Sequence, residues 1–319
     1  MEQLSAKIIE DNILKNYIEY QYLFVEFQSN FLTGLHSRYQ SVENGNLVLY
    51  FAKQTHQEIL RQKDYDLEFN ISHEKFWENH GVINPRKISL TQIAESTLLP
   101  KETTRRKVLQ LTKQKVLNKK NKNIGWLPNE QYKKSYNLVV EKEIQDVAKL
   151  INFVCNKLNH PISNETIIKE LKEKFSFYWF HYLRTQLEYL RLWNEQLNDL
   201  ELGLIFLQVE NLFVSKAKRR NIFHKDTYQD PSLFKEFVNA SISATSISEV
   251  TKIPRATCVR KLEFLVKLKV VSKDKISKRY YCIPETISEN LVSRKITEEV
   301  VEIFSEFFFI CIRAIKIKK

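Results

Sequence analysis

The chain carries one pattern twice: residues 88–119 read ISLTQIAESTLLPKETTRRKVLQLTKQKVLNK, and residues 242–273 read ISATSISEVTKIPRATCVRKLEFLVKLKVVSK. The two segments align without a gap at an offset of 154, and fifteen of the 32 aligned residues are identical. Self-similarity at a fixed offset indicates that one supersecondary unit has been copied.

The similarity continues more weakly outside the repeats. The aromatic helical stretch around Tyr22 has a counterpart around Tyr182, and a second apolar stretch follows each of them. Pro161 disfavours a helix at the residue before it, so a junction is expected near His160. We therefore predict two duplicated domains, at 1–160 and at 161–319.

Each repeat predicts two helices. In the first repeat, Ser89 is a good N-cap for a helix over 90–96, and Pro100 stands in the first turn of the next helix, where proline is best tolerated. Residues spaced i, i+4 and i+7 along that second helix predict a buried stripe. The stripe is Thr104, Val108 and Leu111 in the first repeat and Cys258, Leu262 and Leu265 in the second.

A short β-hairpin is predicted after the second helix of each repeat. Strands near 116–117 and 124–127 flank a polar turn in the first repeat, and strands near 270–271 and 280–283 flank a basic turn in the second. A further short helix is predicted at 70–79. Three helices followed by a hairpin, or wing, form a winged helix-turn-helix, so we predict a mainly α protein with small β-wings.

Each repeat resembles the recognition helix and first wing strand of MarR-type and GntR-type bacterial regulators, over the segments LPKETTRRKVLQLTKQKVL and IPRATCVRKLEFLVKLKVV. Those families carry a small hydroxyl residue and an arginine near the start of this helix. They usually have glycine before the wing strand, where this chain has Lys115 and Lys269. The resemblance implies two winged-helix regions, at about 70–128 and 231–284. The matching pairs are Thr103 with Arg106 and Thr257 with Arg260.

Long helices are predicted on both sides of each winged-helix region, and by position they suit the dimerisation helices of MarR-type regulators. The two tandem units are then expected to form a pseudo-two-fold dimer within one chain. Further homo-oligomerisation through the same helices stays open. Their aromatic residues favour core and interface packing over a pocket for a small-molecule effector, whose identity is unknown.

The basic charge is concentrated on the repeats. The chain has 50 basic and 38 acidic residues and a net charge of +12. Residues 86–122 carry a net +9 and residues 252–279 a net +8, which leaves −5 on the rest. Duplex DNA presents one phosphate charge per about 1.7 Å of its axis. Double-stranded DNA is therefore the predicted partner.

The contacts with DNA follow from the geometry of the motif. A recognition helix enters the major groove by its N-terminal end, where arginine pairs with guanine and a small apolar side chain packs on a thymine methyl group. Wing cations contact phosphates or the minor groove. The predicted helix contacts are Lys101, Glu102, Thr103, Arg105, Arg106, Arg255, Ala256, Thr257, Val259 and Arg260. The predicted wing contacts are Lys119, Lys120, Lys122, Lys273, Lys275, Lys278 and Arg279.

The two predicted reading faces are not equivalent. Glu102 corresponds to Ala256, and Arg105 corresponds to Val259. We therefore expect a pseudo-palindromic site with two related but unequal half-sites, about one helical turn apart.

Enzymatic activity is not expected. The five glycines are too scattered for a phosphate loop, and no catalytic triad has usable spacing. His73 and His80 lie seven residues apart, which is neither an HxxxH nor an HExxH spacing, so no metal or cofactor is predicted.

The sequence also predicts a cytoplasmic, nucleoid-associated protein. Four widely spaced cysteines without a CxxC pair indicate a reducing compartment. The first residues, MEQLSAKIIED, do not form a signal peptide. Residues 300–317 are the most apolar, but they include four charged side chains, so no membrane partner is expected.

A sequence-specific transcription regulator is the leading interpretation, and two alternatives remain. Plasmid and phage replication initiators also join two winged helices in a basic chain of this length, although their two domains usually diverge more than these repeats do. In the third interpretation the winged helices bind proteins instead of DNA. A strong loss of binding between 50 and 200 mM salt, on the order of tenfold or more, would exclude that one.

Overall fold

The computed structural model describes residues 4–63, 71–80, 88–120, 123–219, 239–282 and 291–316. Over these residues the chain is mainly α-helical, as predicted, with two short two-stranded sheets. The helices are α1 (Ala6–Lys15), α2 (Tyr17–Tyr39), α3 (Val42–Lys63), α4 (Phe76–His80), α5 (Leu90–Thr97), α6 (Lys101–Lys113), α7 (Glu130–Lys157), α8 (Asn164–Glu173), α9 (Phe175–Leu197), α10 (Leu200–Arg219), α11 (Ala244–Thr251), α12 (Arg255–Lys267) and α13 (Leu291–Lys316). The strands are β1 (Leu117–Lys120), β2 (Asn123–Trp126), β3 (Ser272–Lys273) and β4 (Tyr280–Tyr281).

The two repeats have the same order of elements. Module 1, residues 88–126, consists of α5, α6 and the antiparallel pair β1–β2, and module 2, residues 242–281, consists of α11, α12 and the antiparallel pair β3–β4. An additional β-bridge joins the start of each module to its last strand: Ile88 bridges Ile124, and Ile242 bridges Tyr280.

Serine N-caps start the first helix of both modules. The backbone N–H of Gln92 donates to Ser89 Oγ, and the Gln92 side chain accepts the backbone N–H of Ser89 in return. In module 2, Ser243 Oγ accepts the backbone N–H of Ser246 at 3.0 Å. Each cap satisfies a helix N–H that has no partner inside the helix. Pro100 occupies the N-cap position of α6 and not its first turn, so the helix begins one residue later than predicted.

The predicted stripes face inward. Each of the six residues is fully buried, with a relative exposure of at most 1%. Their burial fixes which side of α6 and α12 faces the module and therefore which side faces solvent. The buried residues are Thr104, Val108, Leu111, Cys258, Leu262 and Leu265.

Four residues adopt the left-handed conformation at matching places in the two modules. Leu98 (φ 54°) and Lys252 (φ 64°) end the first helix of each module. Lys115 and Lys269, both with φ 56°, link the second helix to the first strand. Glycine is the residue that reaches this conformation without a steric cost, and lysine occupies both positions here. The backbone therefore turns in the same way in both modules without glycine.

The chain forms two compact units that interleave in sequence. Unit 1 contains Met1–Ile9, Glu43–Arg191 and Ile303–Lys319, and unit 2 contains Glu10–Val42 and Leu192–Glu302. The junction expected near residue 160 falls inside unit 1, so these units do not coincide with the two halves of the sequence. Each unit contains one module.

A helix from the other half of the sequence completes the packing in each unit. In unit 2, α2 packs against α10 and α11, and Gln21 Nε2 donates to Glu210 Oε1 at 2.8 Å. In unit 1, α3 meets α9 where the ring of His56 lies edge-to-face with that of Phe175, 5.1 Å between centroids. Long-range helix packing of this kind depends on apolar faces and not on chain order.

Candidate nucleic-acid interface

The predicted helix contacts lie on the first turns of α6 and α12, on the side away from the buried stripes. Seven of the ten side chains are exposed, and three are half-buried. The exposed residues are Lys101, Glu102, Arg105, Arg106, Arg255, Ala256 and Arg260, and the half-buried ones are Thr103, Thr257 and Val259.

In module 1, two of these residues form an ion pair with each other. Arg105 donates two hydrogen bonds to the Glu102 carboxylate, from Nε at 2.8 Å and from Nη2 at 2.6 Å. The hydrogen bond from Arg105 holds the pKa of Glu102 below its ordinary value. A bidentate pair orients the guanidinium plane and occupies two of its five N–H donors. Three donors of Arg105 therefore lie outside this pair.

The corresponding positions of module 2 have no such pair. Ala256 and Val259 replace the acid and the arginine, and Arg255 Nε instead donates to Thr245 Oγ1 of α11 at 3.1 Å. Arg106 and Arg260 stay exposed in both modules and form no ion pair within the part of the chain that the structure describes.

One lysine on each of these helices points inward, which the charge count did not anticipate. Lys107 Nζ lies 3.4 Å from Glu43 of α3, and Lys261 Nζ lies 3.1 Å from Glu201 of α10 and also binds Asp199. The two lysines occupy equivalent positions in the repeat. Each neutralises a carboxylate at the start of a packing helix, so neither adds a cation to the exposed face.

The inward pair in module 2 is part of a larger network. His36 of α2 lies 3.7 Å from the second oxygen of Glu201. The contact with His36, followed by the charge of Lys261, lowers the pKa of Glu201 to about 2. Helices α2, α10 and α12 are thus joined by one polar network. Helical spacing could have predicted the inward position of Lys107 in module 1. Residue 107 lies three residues after Thr104 and four before Leu111, both of which belong to the buried stripe.

The wing of module 1 is exposed and cationic where it is described. Lys119 and Lys120 on β1 are both exposed, while Ile124 and Trp126 on β2 are buried. Lys122 lies outside the described residues. Strand β1 therefore presents its lysines to solvent, and the buried side chains of β2 attach the hairpin to the rest of the unit.

The wing of module 2 keeps three of its four predicted cations in solvent. Lys275, Lys278 and Arg279 are exposed. Lys273 instead donates to Glu263 of α12, which also accepts the Tyr280 hydroxyl at 2.6 Å. The hydrogen bond to Glu263 raises the pKa of Lys273. Lys273 thus ties the wing to the helix, and its charge is largely compensated.

The histidines singled out by sequence belong to an aromatic core in unit 1. The His80 ring lies 5.4 Å from that of Trp126 and 5.9 Å from that of Phe76. Burial lowers the pKa of His80 to about 4 and that of His56 to about 3. His73 lies against Phe175 instead, 5.0 Å between ring centroids. Among the described residues no group of three or more His, Cys, Asp and Glu side chains is arranged to hold a metal ion.

All four cysteines are buried free thiols. Burial raises the pKa of Cys258, Cys282 and Cys311, which keeps those thiols protonated and unreactive. Cys258 is therefore a core residue of α12, as its place in the stripe predicts. No helix in the described part of the chain has a long enough apolar run to cross a bilayer.

Comparison with known proteins gives no match: no protein-family model, no curated protein and no solved structure is similar to this chain.

Proposed function

We propose that the protein binds double-stranded DNA through modules 1 and 2, acting as two winged helices, and that it is a transcription regulator and not an enzyme. The observation that carries the proposal is the repeated exposed face: each module presents an arginine and neighbouring cations on the first turns of its second helix, next to a cationic hairpin. This combination suits a major groove flanked by phosphates.

Several contacts support a reading helix held at a fixed angle. The buried stripe packs α6 and α12 into their modules, and the inward lysine pairs each of these helices with a carboxylate outside its module. A rigidly held helix loses little conformational entropy when it binds. Arg106 and Arg260 are the residues that we expect to contact base edges in both half-sites.

The first experiment measures binding to random-sequence duplex DNA by fluorescence anisotropy over a series of salt concentrations. We expect log Kobs to fall linearly with log salt, with a slope of about −0.9 for each phosphate contacted. The double variant Arg106→Ala/Arg260→Ala should lose on the order of tenfold or more in affinity for a selected duplex, since each bidentate contact with guanine contributes roughly 1–3 kcal/mol.

The matched control removes two charges elsewhere. Lys149 and Lys169 are exposed lysines on α7 and α8. The double variant Lys149→Ala/Lys169→Ala has the same net charge as the arginine variant, and we expect its affinity to stay within about twofold to threefold of wild type. Equal losses in both variants would mean that binding follows net charge alone and would refute the two-module interface.

Binding-site selection tests the unequal half-sites. Replacing Arg105 with the residue of module 2 (Arg105→Val) removes one candidate base contact and also releases Glu102. We expect the selected site to lose base preference in one half only and to keep the other half unchanged. If the selected site were unaltered in both halves, Arg105 would not be a base contact.

The same selection separates the regulator from the replication initiator. A lone pseudo-palindrome near promoters favours the regulator, and arrays of repeated sites at an origin favour the initiator. Binding that is insensitive to salt would favour modules that recognise proteins.

A further inference from the structure

Ile276 is the most exposed of the large apolar residues in the described part of the chain, with 92% of its surface accessible. It lies in the turn between β3 and β4, at the tip of the wing of module 2. An isoleucine in water forgoes the favourable burial of its side chain, roughly 25 cal/mol for each Å². A single exposed apolar side chain is ordinary on a protein surface. Ile276 is distinguished by its place at the tip of a turn and by the cations beside it.

The turn holds Ile276 in a defined position. The Asp274 N–H donates to the Arg279 carbonyl at 2.9 Å, and the Lys278 N–H donates to the Asp274 carbonyl at 3.0 Å. The Asp274 carboxylate accepts the N–H of Ser277. Lys278 adopts a left-handed conformation, with φ 58°, which reverses the chain. The apolar side chain therefore projects from a closed, hydrogen-bonded loop.

Cations surround this apolar tip. Lys275 precedes Ile276 directly, and Lys278 and Arg279 follow within three residues; all three are exposed. The minor groove of DNA has matching chemistry, because two phosphate rows flank a narrow opening onto stacked, largely apolar bases. Proteins that enter it use arginine and lysine on its walls and insert apolar side chains between base steps.

We propose that Ile276 is a wedge that enters the minor groove beside the half-site of module 2, partly unstacks one base step and kinks the duplex. This inference rests on the proposed function. Lys275, Lys278 and Arg279 bind the phosphates on both sides, and the apolar side chain occupies the opened step. Flexible pyrimidine–purine steps are the preferred place of insertion, because they unstack at the lowest cost.

The wedge is specific to one module. The corresponding segment of module 1, residues 119–123, has the sequence KKNKN and contains no apolar residue. One chain therefore kinks its site on one side only, next to the half-site that α12 reads. This asymmetry adds sequence preference outside the two half-sites, at a base step that no helix touches.

The test measures DNA bending by the full-length protein on a duplex of about 40 base pairs, recovered by selection with the wild type and labelled at both ends for energy transfer. We expect the wild type to bend this duplex by roughly 20–90°. Ile276→Ser should abolish most of the bend and lower the affinity about threefold to tenfold. Ile276→Leu should bend the duplex as the wild type does.

Leu138→Ser is the matched control, because Leu138 is an exposed apolar residue of α7 with 75% of its surface accessible. It should leave both bend and affinity unchanged. A fluorescent adenine analogue placed at the kinked step should brighten on binding of wild type, as the base unstacks, and stay dark with Ile276→Ser.

The outcomes distinguish the two proposals. If the wild type binds no duplex at any salt concentration, the proposed function fails and the wedge fails with it. If the wild type binds but the duplex stays straight, or Ile276→Ser bends it equally, the wedge alone is wrong. Binding to vesicles of phosphatidylserine and phosphatidylcholine that Ile276→Ser abolishes, without DNA bending, would overturn the wedge in favour of a membrane contact.

Discussion

Lysine occupies a left-handed backbone position at the same place in both modules, at residues 115 and 269. A side chain in this conformation costs roughly 1–2 kcal/mol, a cost that glycine does not have. Glycine in turn loses more conformational entropy on folding, by roughly 0.5–1 kcal/mol. The balance favours glycine at these two positions.

We therefore predict that Lys115→Gly and Lys269→Gly each stabilise the protein by up to about 1 kcal/mol, measured as a higher midpoint of thermal unfolding. Lys113→Gly and Lys267→Gly are the matched controls, two residues earlier and at the last residue of each helix. Those controls should destabilise, because glycine weakens a helix by about 0.8–1 kcal/mol. If all four variants changed the stability in the same direction, the left-handed conformation at residues 115 and 269 would not be the cause.

The buried carboxyl group of Glu210 predicts that the stability of the protein depends on pH. Burial raises its pKa from 4.5 to about 7, although Gln21 donates a hydrogen bond to it. The folded state therefore binds this proton more tightly than the unfolded state does. The stability that results is complete below pH 4.5 and is lost as pH rises through 7, at about 1.4 kcal/mol per pH unit.

We expect Glu210→Gln to remove this dependence, because glutamine can still accept the hydrogen bond from Gln21 without ionising. At pH 8 the variant should be more stable than wild type, by a value on the order of 3 kcal/mol in urea unfolding. Glu165→Gln, at an exposed position of α8, should leave the pH profile unchanged. A Glu210→Gln variant with the wild-type pH profile would contradict the assignment.

At the scale of elements, α12 is attached to its unit through a buried lysine. Lys261 binds Asp199 and Glu201 at the start of α10, and its side chain is 9% exposed. Removing one partner of a buried ion pair leaves the other charge without compensation, which is more costly than removing both. The partial exposure of both acids reduces this cost.

We predict that Lys261→Met destabilises the protein by about 2 kcal/mol, whereas Lys267→Met, at an exposed position of the same helix, changes stability by less than about 0.5 kcal/mol. Adding Glu201→Gln to Lys261→Met should recover part of the loss, because the uncompensated acid is removed. Additive losses in this double-mutant cycle, measured by urea unfolding, would mean that the two residues do not interact.

Sequence reasoning located the helices of the modules well because their signals are local, whereas β3 begins at Ser272 and not at the predicted residue 270. Ser89, Pro100 and the i, i+4, i+7 stripe lie within a few residues of the structure that they specify. They predicted α5 and the start of α6 to within about one residue. The inward turn of Lys107 was missed, since a lysine on the edge of a buried stripe is compatible with either solvent or an ion pair. Only the distant Glu43 decides between them.

At the scale of the whole molecule, the interleaving of the units was beyond the reach of a repeat search. An offset of 154 residues shows that a segment has been copied, but it does not show which helix packs on which. The pairing of α2 with α10 depends on two apolar faces that are far apart along the chain, and on the hydrogen bond between Gln21 and Glu210, which are 189 residues apart. Such faces fit several partners equally well on sequence grounds.

The interleaving predicts that the two halves of the sequence do not fold alone. A fragment 1–160 lacks the segments of unit 1 after residue 160, and a fragment 161–319 lacks Glu10–Val42 of unit 2. We expect both fragments to give poorly dispersed amide NMR spectra and no cooperative thermal transition. Mixed at equal concentration, they should recover both, because the missing surfaces are then supplied in trans. Two independently folded fragments would show that α2 is dispensable to unit 2.

Because the units interleave, neither unit is complete until late in translation. Module 1 leaves the ribosome early, yet unit 1 still lacks α8, most of α9 and the segment from Ile303 onward at that moment. The faces of α3 and α2 that pack on α9 and α10 therefore stay without these partners until translation has passed residue 219. A chain that stalls at this point would carry the complete helix α6 in an unfinished unit 1, and its exposed apolar surface would make it prone to aggregation.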